Sequence, residues 1–572
     1  SKYQIKYYKG LGTSTGKEFK EYFQEKKFVN FTHTGEVSSD SLDMAFNKKR
    51  PDDRKDWLKK FDRNNYLDTN KQDISFEEFI DREMIHFSKY DCDRSIPNIM
   101  DGLKISLRKI LYSVFKKNLV KEIKVAQLSG YVSENSGYHH GEASLNGAIV
   151  AMAQNFVGSN NINLLTPNGQ FGTRLQGGKD SASERYIFTQ LNNITRCIYQ
   201  KADDDILTYL DDDGQLVEPI FYAPIIPMIL VNGTDGIGTG FSSKILSYNP
   251  IEIINWLEQR LTNLPSDNMQ KDFQPYYHGF NGSISTIGEN RYLVKGCYHK
   301  IKEDTIEVTE LPIGFWTTDF KEHIETLLSD NKTSKKESII KDYNDNSTDT
   351  VVNFVITLLP GMLNKLESIS LEHNCNGLEK SLKLFTTQTC TNMHLFDSNE
   401  KLKKYDNIIE ILEEFYVARL ELYKKRKLHQ IQEMEKELVV LSNKAKYIIE
   451  LLEGTIDLRR KKNNEIVELL TEKNYDMIEE SFKYLIKQPM DSVSEENVAK
   501  ILSDKANKVK ELEYLRNLTV EEIWNSELNG LKIEYTKQYL QEKKNENVVL
   551  VKPNKKDKKD KKDKKKMPKL VI

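Results

Sequence analysis

Between Ile431 and Leu452 the apolar residues step alternately by three and four: Ile431, Met434, Leu438, Leu441, Ala445, Ile448 and Leu452. This is an a/d heptad seam over roughly three repeats, inside a helical section that starts near Lys403. A long helix with one apolar edge needs a partner to cover it. Val498 to Leu515 is periodic again and can return antiparallel against the first helix; an ordinary long surface hairpin is the alternative. Gly454, a charged stretch and an intervening helical region with a break at Pro489 separate the two.

At 572 residues the chain is too long for one core and predicts several domains. Residues 26–73 read as a polar, charged connector. From Ile74 the pattern turns helical, with Phe76, Phe79, Ile80 and Met84 on one face. Leu103, Leu107, Ile110, Leu111 and Val114 make a second amphipathic helix, with Lys104, Arg108 and Lys109 on or beside its polar side. An apolar back with a basic front suits a helix that reads a duplex; a solvated helix face has the same pattern. Gly130 to Arg174 is thick with glycine, asparagine and serine and predicts loops and short strands. Glu307–Leu311 and Val351–Leu358 read as strands, Ile251–Leu261 and Phe320–Leu328 as helices.

Charge alone argues against a nucleic-acid partner. The formal total is −2, and the tail from Lys552 to Lys569, with eleven lysines and three aspartates, carries +8, so the rest carries −10. The Lys-Lys-Asp repeats cannot bury a core and predict disorder. Such a tail can be a nuclear-type address, a loose DNA tether or simply solvated. The five cysteines lie far apart with no CxxC spacing, so neither a zinc ribbon nor a disulfide framework is indicated. No apolar run approaches the roughly 18 to 20 residues of a membrane span.

One stretch carries chemistry. Arg185 sits directly before Tyr186 in Ser181-Ala182-Ser183-Glu184-Arg185-Tyr186-Ile187-Phe188-Thr189, just after Gln170-Phe171-Gly172-Thr173-Arg174. A phenolic oxygen can attack a phosphodiester and hold the broken end as a phosphotyrosine. An adjacent guanidinium can stabilise the charge that builds on the phosphorus oxygens. Alone the pair is weak, since a tyrosine beside an arginine is most often an ordinary surface residue.

The surrounding text resembles the DNA-cleavage core of type IIA DNA topoisomerases in the eukaryotic arrangement. The resemblance rests on Tyr8-Lys9-Gly10-Leu11-Gly12-Thr13-Ser14, Arg94-Ser95-Ile96-Pro97-Asn98, Asp101-Gly102-Leu103-Lys104 and Tyr138-His139-His140-Gly141-Glu142. Ala153 to Asn161, Pro224 to Met228 and Gly236-Ile237-Gly238-Thr239-Gly240 follow in the family's order. The match is nearly continuous to about Tyr248 and looser to about Tyr535, with Ile523 to Leu528 resembling the motif where the core ends.

The resemblance implies a multidomain α+β chain. Its parts would be the end of a TOPRIM domain (1–25), the connector (26–73), a winged-helix cleavage domain with the nucleophile (74–200) and an α/β tower (201–400). A long antiparallel coiled-coil arm with a C-gate (401–540) and the lysine-rich tail (541–572) complete it. It implies Tyr186 as nucleophile, with Arg185, His140 and Arg94 as the cationic pocket. Ile237 would be the wedge that bends DNA. Gln170, Arg174 and Lys9 would lie at the DNA groove, with Lys104, Arg108 and Lys109 on the reading helix. It implies a homodimer acting on double-stranded DNA with Mg2+ and ATP, in a nucleus or a viral replication site and not at a membrane. The short tail resembles the enzymes of large DNA viruses. The family's metal ligands, a Glu and an Asp-x-Asp, and its ATPase domain would lie upstream of Ser1, so the chain reads as a piece of a longer protein that cleaves poorly by itself. Two rivals are a separate breakage subunit of the bacterial gyrase kind and a cleavage-dead architectural DNA-binding protein. The sequence departs from the family at Ile105-Ser106-Leu107, where Pro-Gly-Gln is usual, and at Glu184, where proline usually precedes the Arg-Tyr pair.

Overall fold

The computed structural model describes residues 14–26, 28–62, 64–68, 70–212, 214–262, 272–328, 338–458, 461–478, 480–487 and 495–540. Lys9, Pro489 and the lysine-rich tail lie outside the described residues.

The stretch read as a connector carries its own elements. They are α1 (Gly16–Gln24), β1 (Asn30–Thr32), α2 (Glu36–Phe46), α3 (Pro51–Leu58) and β2 (Asp73–Ser75), with β1 and β2 paired in parallel. Ile74 thus belongs to a strand. The helical run starts one residue later as α4 (Phe76–Phe79), capped by the Ser75 hydroxyl, then a π-turn (Ile80–Met84) and α5 (Ile85–Ser95). A small core of Trp57, Leu58, Ile80, Ile85, Cys92 and Ile96 closes this unit and reaches Phe241 and Phe396. Buried apolar side chains, hidden among many charges, make it a packed unit.

Next come α6 (Ile105–Lys117), β3 (Ile123–Lys124), α7 (Val125–Ser136), α8 (Glu142–Ala153), β4 (Leu165–Asn168) and β5 (Phe188–Leu191). The strands form an antiparallel sheet in the order β3-β5-β4, with Thr189 facing Ile123 on one side and Pro167 on the other. The region expected to be loops holds two helices. Val125, Leu128 and Val132 of α7 and Leu145, Ile149 and Val150 of α8 are apolar stripes that their Ser, Asn and Gly neighbours obscure. Gly137, at φ 58°, ends α7 in the left-handed conformation glycine tolerates.

A short helix α9 (Thr195–Ile198), a 3-10 turn (Lys201–Ile206), the hairpin β6 (Tyr209–Asp212) and β7 (Gln215–Pro219), and α10 (Met228–Asn232) lead to a second hairpin, β8 (Thr234–Gly238) and β9 (Phe241–Ile245). Then α11 (Pro250–Leu261) precedes a mixed lobe of β10 (Ser283–Gly288), β11 (Arg291–Lys295), β12 (Cys297–Lys302), β13 (Thr305–Glu310), α12 (Thr317–Glu325), β14 (Ile340–Asp345), β15 (Phe354–Leu358), α13 (Met362–Glu367), α14 (Gly377–Ser381) and β16 (Phe385–Thr389). Sheets β12-β13-β15-β14 and β10-β11-β16 build it, around a core of its own that includes Ile306, Phe320 and Phe354.

β17 (Met393–Phe396) and β18 (Leu402–Tyr405) return to the first lobe before α15 (Ile408–Leu452), 45 residues long. At 1.5 Å per residue that helix reaches about 68 Å. At its far end α16 (Asn463–Glu472) and α17 (Lys483–Ile486) pack with Tyr447 around a small core. α18 (Glu495–Asn517) comes back antiparallel, Lys508 pairing with Glu437 and Arg516 with Glu435, and α19 (Val520–Tyr535) re-enters the body. Of the seam residues, Ala445 and Ile448 are buried, four are half-buried and Leu452 is exposed.

Candidate nucleic-acid cleavage site

Tyr186 sits two residues before β5, the central strand of its sheet. Four backbone hydrogen bonds hold its loop. Tyr186 N–H donates to Ser183, Ala126 to Glu184, Val125 to Ile187 and Ala182 to Gln170. Ile187 is buried as an anchor, and the Tyr186 ring stands 77% exposed, with Arg185 also exposed. A fixed backbone under a free side chain suits a nucleophile that must meet a large substrate.

The preceding loop is folded by three glycines. A Cβ at Gly172 would strike the backbone of Gly178, one at Gly178 the Gln154 amide, and one at Gly177 the Trp316 ring. Thr173 donates from its N–H (2.9 Å) and its hydroxyl (2.6 Å) to Asp180, and Gln154 Nε2 donates to Phe171 O at 2.8 Å. Between this loop and α8 lies a cleft of about 550 Å³, walled by Glu142, Asn146 and Gln154 on the helix side and Lys179, Glu184 and Arg185 opposite. Arg185 therefore lines the same cleft as α8. Glu184, the departure from the family pattern, is half-buried in this wall, and its carboxylate accepts from the Ser183 hydroxyl at 3.3 Å.

His140 lies just before α8. Its ring meets the edge of buried Tyr138, at 5.3 Å between centroids, and its Nε2 lies 2.5 Å from the Tyr90 hydroxyl. Burial, then the positive charges of Arg94, His139 and Lys109, hold His140 below the ordinary histidine pKa of 6.5. Arg94 and Tyr90 are both on α5, one turn apart. Arg94 is exposed and pairs with no acid among the described residues. So Arg94 and His140 come together, while no direct contact joins them to Tyr186. Tyr90 belongs to none of the family motifs; its signal was its position four residues before Arg94, on the same helical face.

Ile237 projects from β8 and is 81% exposed, close to the Thr239-Gly240 turn of the β8–β9 hairpin. A Cβ at Gly236 would run into Ser95 O, and one at Gly238 would press on Cys92. These glycines let the hairpin lie flat on α5, where Thr239 Oγ1 donates to Asp91 at 2.9 Å and Lys104 Nζ to Asp235 O at 2.8 Å. Lys104 is half-buried there, at the foot of the hairpin.

Three expected DNA contacts are corrected. Arg108 does not front a basic face. It is buried, with Nε 2.6 Å and Nη2 3.1 Å from the fully buried Asp101 carboxylate. Lys109 turns inward to Ser136 O and to Glu218, 2.8 Å away. Arg174 does not line a groove; it is buried in an ion pair with Glu310 of β13 and ties the lobe that carries Tyr186 to the mixed lobe. Each guanidinium or ammonium is already neutralised inside the protein, which leaves little for a phosphate. Gln170 is exposed, beside the Tyr186 loop.

Among the described residues no three His, Cys, Asp or Glu side chains are grouped to hold a metal ion. No described helix is long and apolar enough to cross a membrane.

Residues 94–529 match the family model for the A-type subunit of DNA gyrase/topoisomerase IV. The chain belongs to the type IIA DNA topoisomerases. Residues 1–92 match the C-terminal associated domain of TOPRIM, as in the eukaryotic arrangement. DNA topoisomerase 2 of Plasmodium falciparum is 44% identical over 559 residues, covering 91% of this chain and 39% of that protein. DNA topoisomerase 2 of Arabidopsis thaliana is 41% identical over 581 residues, 94% of this chain and 38% of the relative. The chain thus spans about two fifths of these relatives. A crystal structure of the Plasmodium falciparum topoisomerase II DNA-binding, cleavage and re-ligation domain superposes with a TM-score of 0.82 at 43% identity, covering 96% of this chain and 76% of that one.

Proposed function

We propose that this type IIA topoisomerase chain is the breakage–reunion core of an ATP-dependent enzyme that cuts one duplex, passes another through it and reseals. The observation that carries the reading is Arg185-Tyr186 held outward on a pinned turn at the mouth of the α8 cleft. In this reading α6, α7, α8 and the β3-β5-β4 sheet are the winged-helix domain, and the mixed lobe is the tower. The α15–α18 pair is the coiled-coil arm whose far end carries the C-gate of a homodimer.

The Tyr186 oxygen attacks phosphorus and gives its proton to water. The bond from phosphorus to the 3′ oxygen breaks, that oxygen takes up a proton, and the 5′ phosphate stays esterified to Tyr186. Because one ester replaces another, resealing is the reverse step and needs no external energy source. Arg185 and Arg94 hold the phosphate oxygens, and His140 donates a hydrogen bond to them. Ile237 enters a base step and kinks the duplex, which suits an apolar side chain on an exposed hairpin tip. Magnesium would supply charge stabilisation for such a phosphoryl transfer, but no described residues are grouped to hold it, so it would have to be held elsewhere in the enzyme, as would ATP. A nucleus or a viral replication site is the proposed location.

The test is denaturant trapping of the intact enzyme on supercoiled DNA. Wild type is expected to give a covalent protein–DNA adduct, and Tyr186→Phe none. An adduct that persists in Tyr186→Phe overturns the nucleophile.

A further inference from the structure

Tyr90 is not part of the cationic pocket described above, yet it makes the hydrogen bond at His140 Nε2. We propose that Tyr90 is a positioning residue that fixes His140 as the Nδ1–H tautomer, so that Nδ1 is the nitrogen that donates to the phosphate. The inference rests on the breakage–reunion reading and deepens it.

The geometry is specific. The Tyr90 and His140 rings are tilted by 35° with centroids 5.9 Å apart, and the hydroxyl is 2.5 Å from Nε2. One partner must donate. A neutral imidazole nitrogen is a much better acceptor than a phenol oxygen, and a phenol is a better donor than an imidazole N–H. So the Tyr90 O–H donates, Nε2 accepts, and the ring's only proton sits on Nδ1. An imidazolium would reverse that bond.

The charges around the ring favour the neutral form. Arg94 is on α5 with Tyr90, Lys109 on α6, and Tyr138 and His139 in the loop between α7 and α8. His139 Nε2 is itself 3.6 Å from Asp212 of β6, so that carboxylate is directed to His139. Burial, then the charges of Arg94, His139 and Lys109, keep His140 below its ordinary value.

The fold also sets the phase of α5. The π-turn at Ile80–Met84 precedes the helix, Ile85, Ser88 and Cys92 face the core, and Phe87, Tyr90 and Arg94 face out. Tyr90 is 47% exposed, so its ring contributes little to the core and its hydroxyl can be removed without unfolding the chain.

The experiment has two arms. In the DNA-free chain, labelled with 15N-histidine, the ring nitrogens of His140 are followed from pH 5 to 8. Wild type is expected to show Nδ1–H as the dominant tautomer. Tyr90→Phe is expected to shift the population toward Nε2–H. In the intact enzyme Tyr90→Phe is expected to lower cleavage about tenfold, the size of one lost hydrogen bond. Tyr138→Phe is the control and is expected to leave the tautomer unchanged. An unmoved tautomer in Tyr90→Phe, an equal effect of Tyr138→Phe, or unchanged cleavage despite a changed tautomer each overturns the proposal. The spectroscopic arm needs no cleavage, so failure of Tyr186 as nucleophile would not be confused with failure of Tyr90.

Discussion

At the residue scale, position and partner decide what a charged side chain can do. Arg94, Arg108, Arg174 and Arg185 are the same residue type within one lobe. Two face out, and two are spent on Asp101 and Glu310. Burying an ion pair is tolerated because the partner and several backbone groups satisfy it. Asp101 also accepts from the N–H groups of Leu103 and Tyr222, both at 3.0 Å. Glu184 is the opposite case, an acid beside the proposed nucleophile where the resemblance implies proline. A half-exposed carboxylate near a phosphate should cost about 0.5 kcal/mol. Glu184→Gln is therefore expected to raise the yield of covalent adduct about twofold, measured by trapping at fixed DNA concentration. An unchanged yield would place the carboxylate away from the phosphate.

At the scale of elements, the long arm is rooted in the body by a buried polar knot. Asp203 in the 3-10 turn takes both Nη groups of Arg419, at 3.2 and 2.6 Å, and shares itself with Arg426. Arg426 also reaches Glu527 of α19, whose other oxygen accepts from the Tyr423 hydroxyl at 2.6 Å. The Arg419 guanidinium stacks 3.9 Å from the Tyr423 ring centroid, and Trp524 stacks on Tyr423 and Tyr416 while its Nε1 donates to Ile225 O at 2.9 Å. Arg419 is fully buried, so removing it strands part of a buried charge. Arg419→Met should destabilise the junction by about 3 kcal/mol, read from the urea transition of tryptophan fluorescence. Adding Asp203→Leu should restore part of that loss. A single variant as stable as the parent would show that the knot does not hold the arm.

At the scale of the whole molecule, charge is divided between an acidic body and a basic tail. The body's −10 repels DNA on average, so the DNA binding proposed above would have to come from local groups such as Arg94 and Arg185. The tail's eleven lysines add a sequence-independent attraction. Deleting residues 552–572 should weaken DNA binding several-fold at low salt and flatten its salt dependence, measured by fluorescence anisotropy. The fraction of bound DNA that is cleaved should not change. An identical salt slope would make the tail a mere solvated extension.

Local sequence order carried a great deal by itself. The spaced motifs, the Arg185-Tyr186 pair and the paired periodic helices were legible because each is written in contiguous residues with a fixed period. The helices α7 and α8 were missed because glycine, serine and asparagine interrupt the apolar stripe that the sheet and neighbouring helices cover. The tertiary structure alone decided which cations are free. Arg174 meets its acid 136 positions away and Arg419 meets Asp203 across 216, distances at which no local pattern reports a partner. It also decided that Tyr90 touches His140, 50 residues on. Helical period places Tyr90 beside Arg94, but only the packing of α5 against the loop before α8 brings a hydroxyl to an imidazole. Periodicity is a property of neighbours in the chain; neutralisation and hydrogen bonding are properties of neighbours in space.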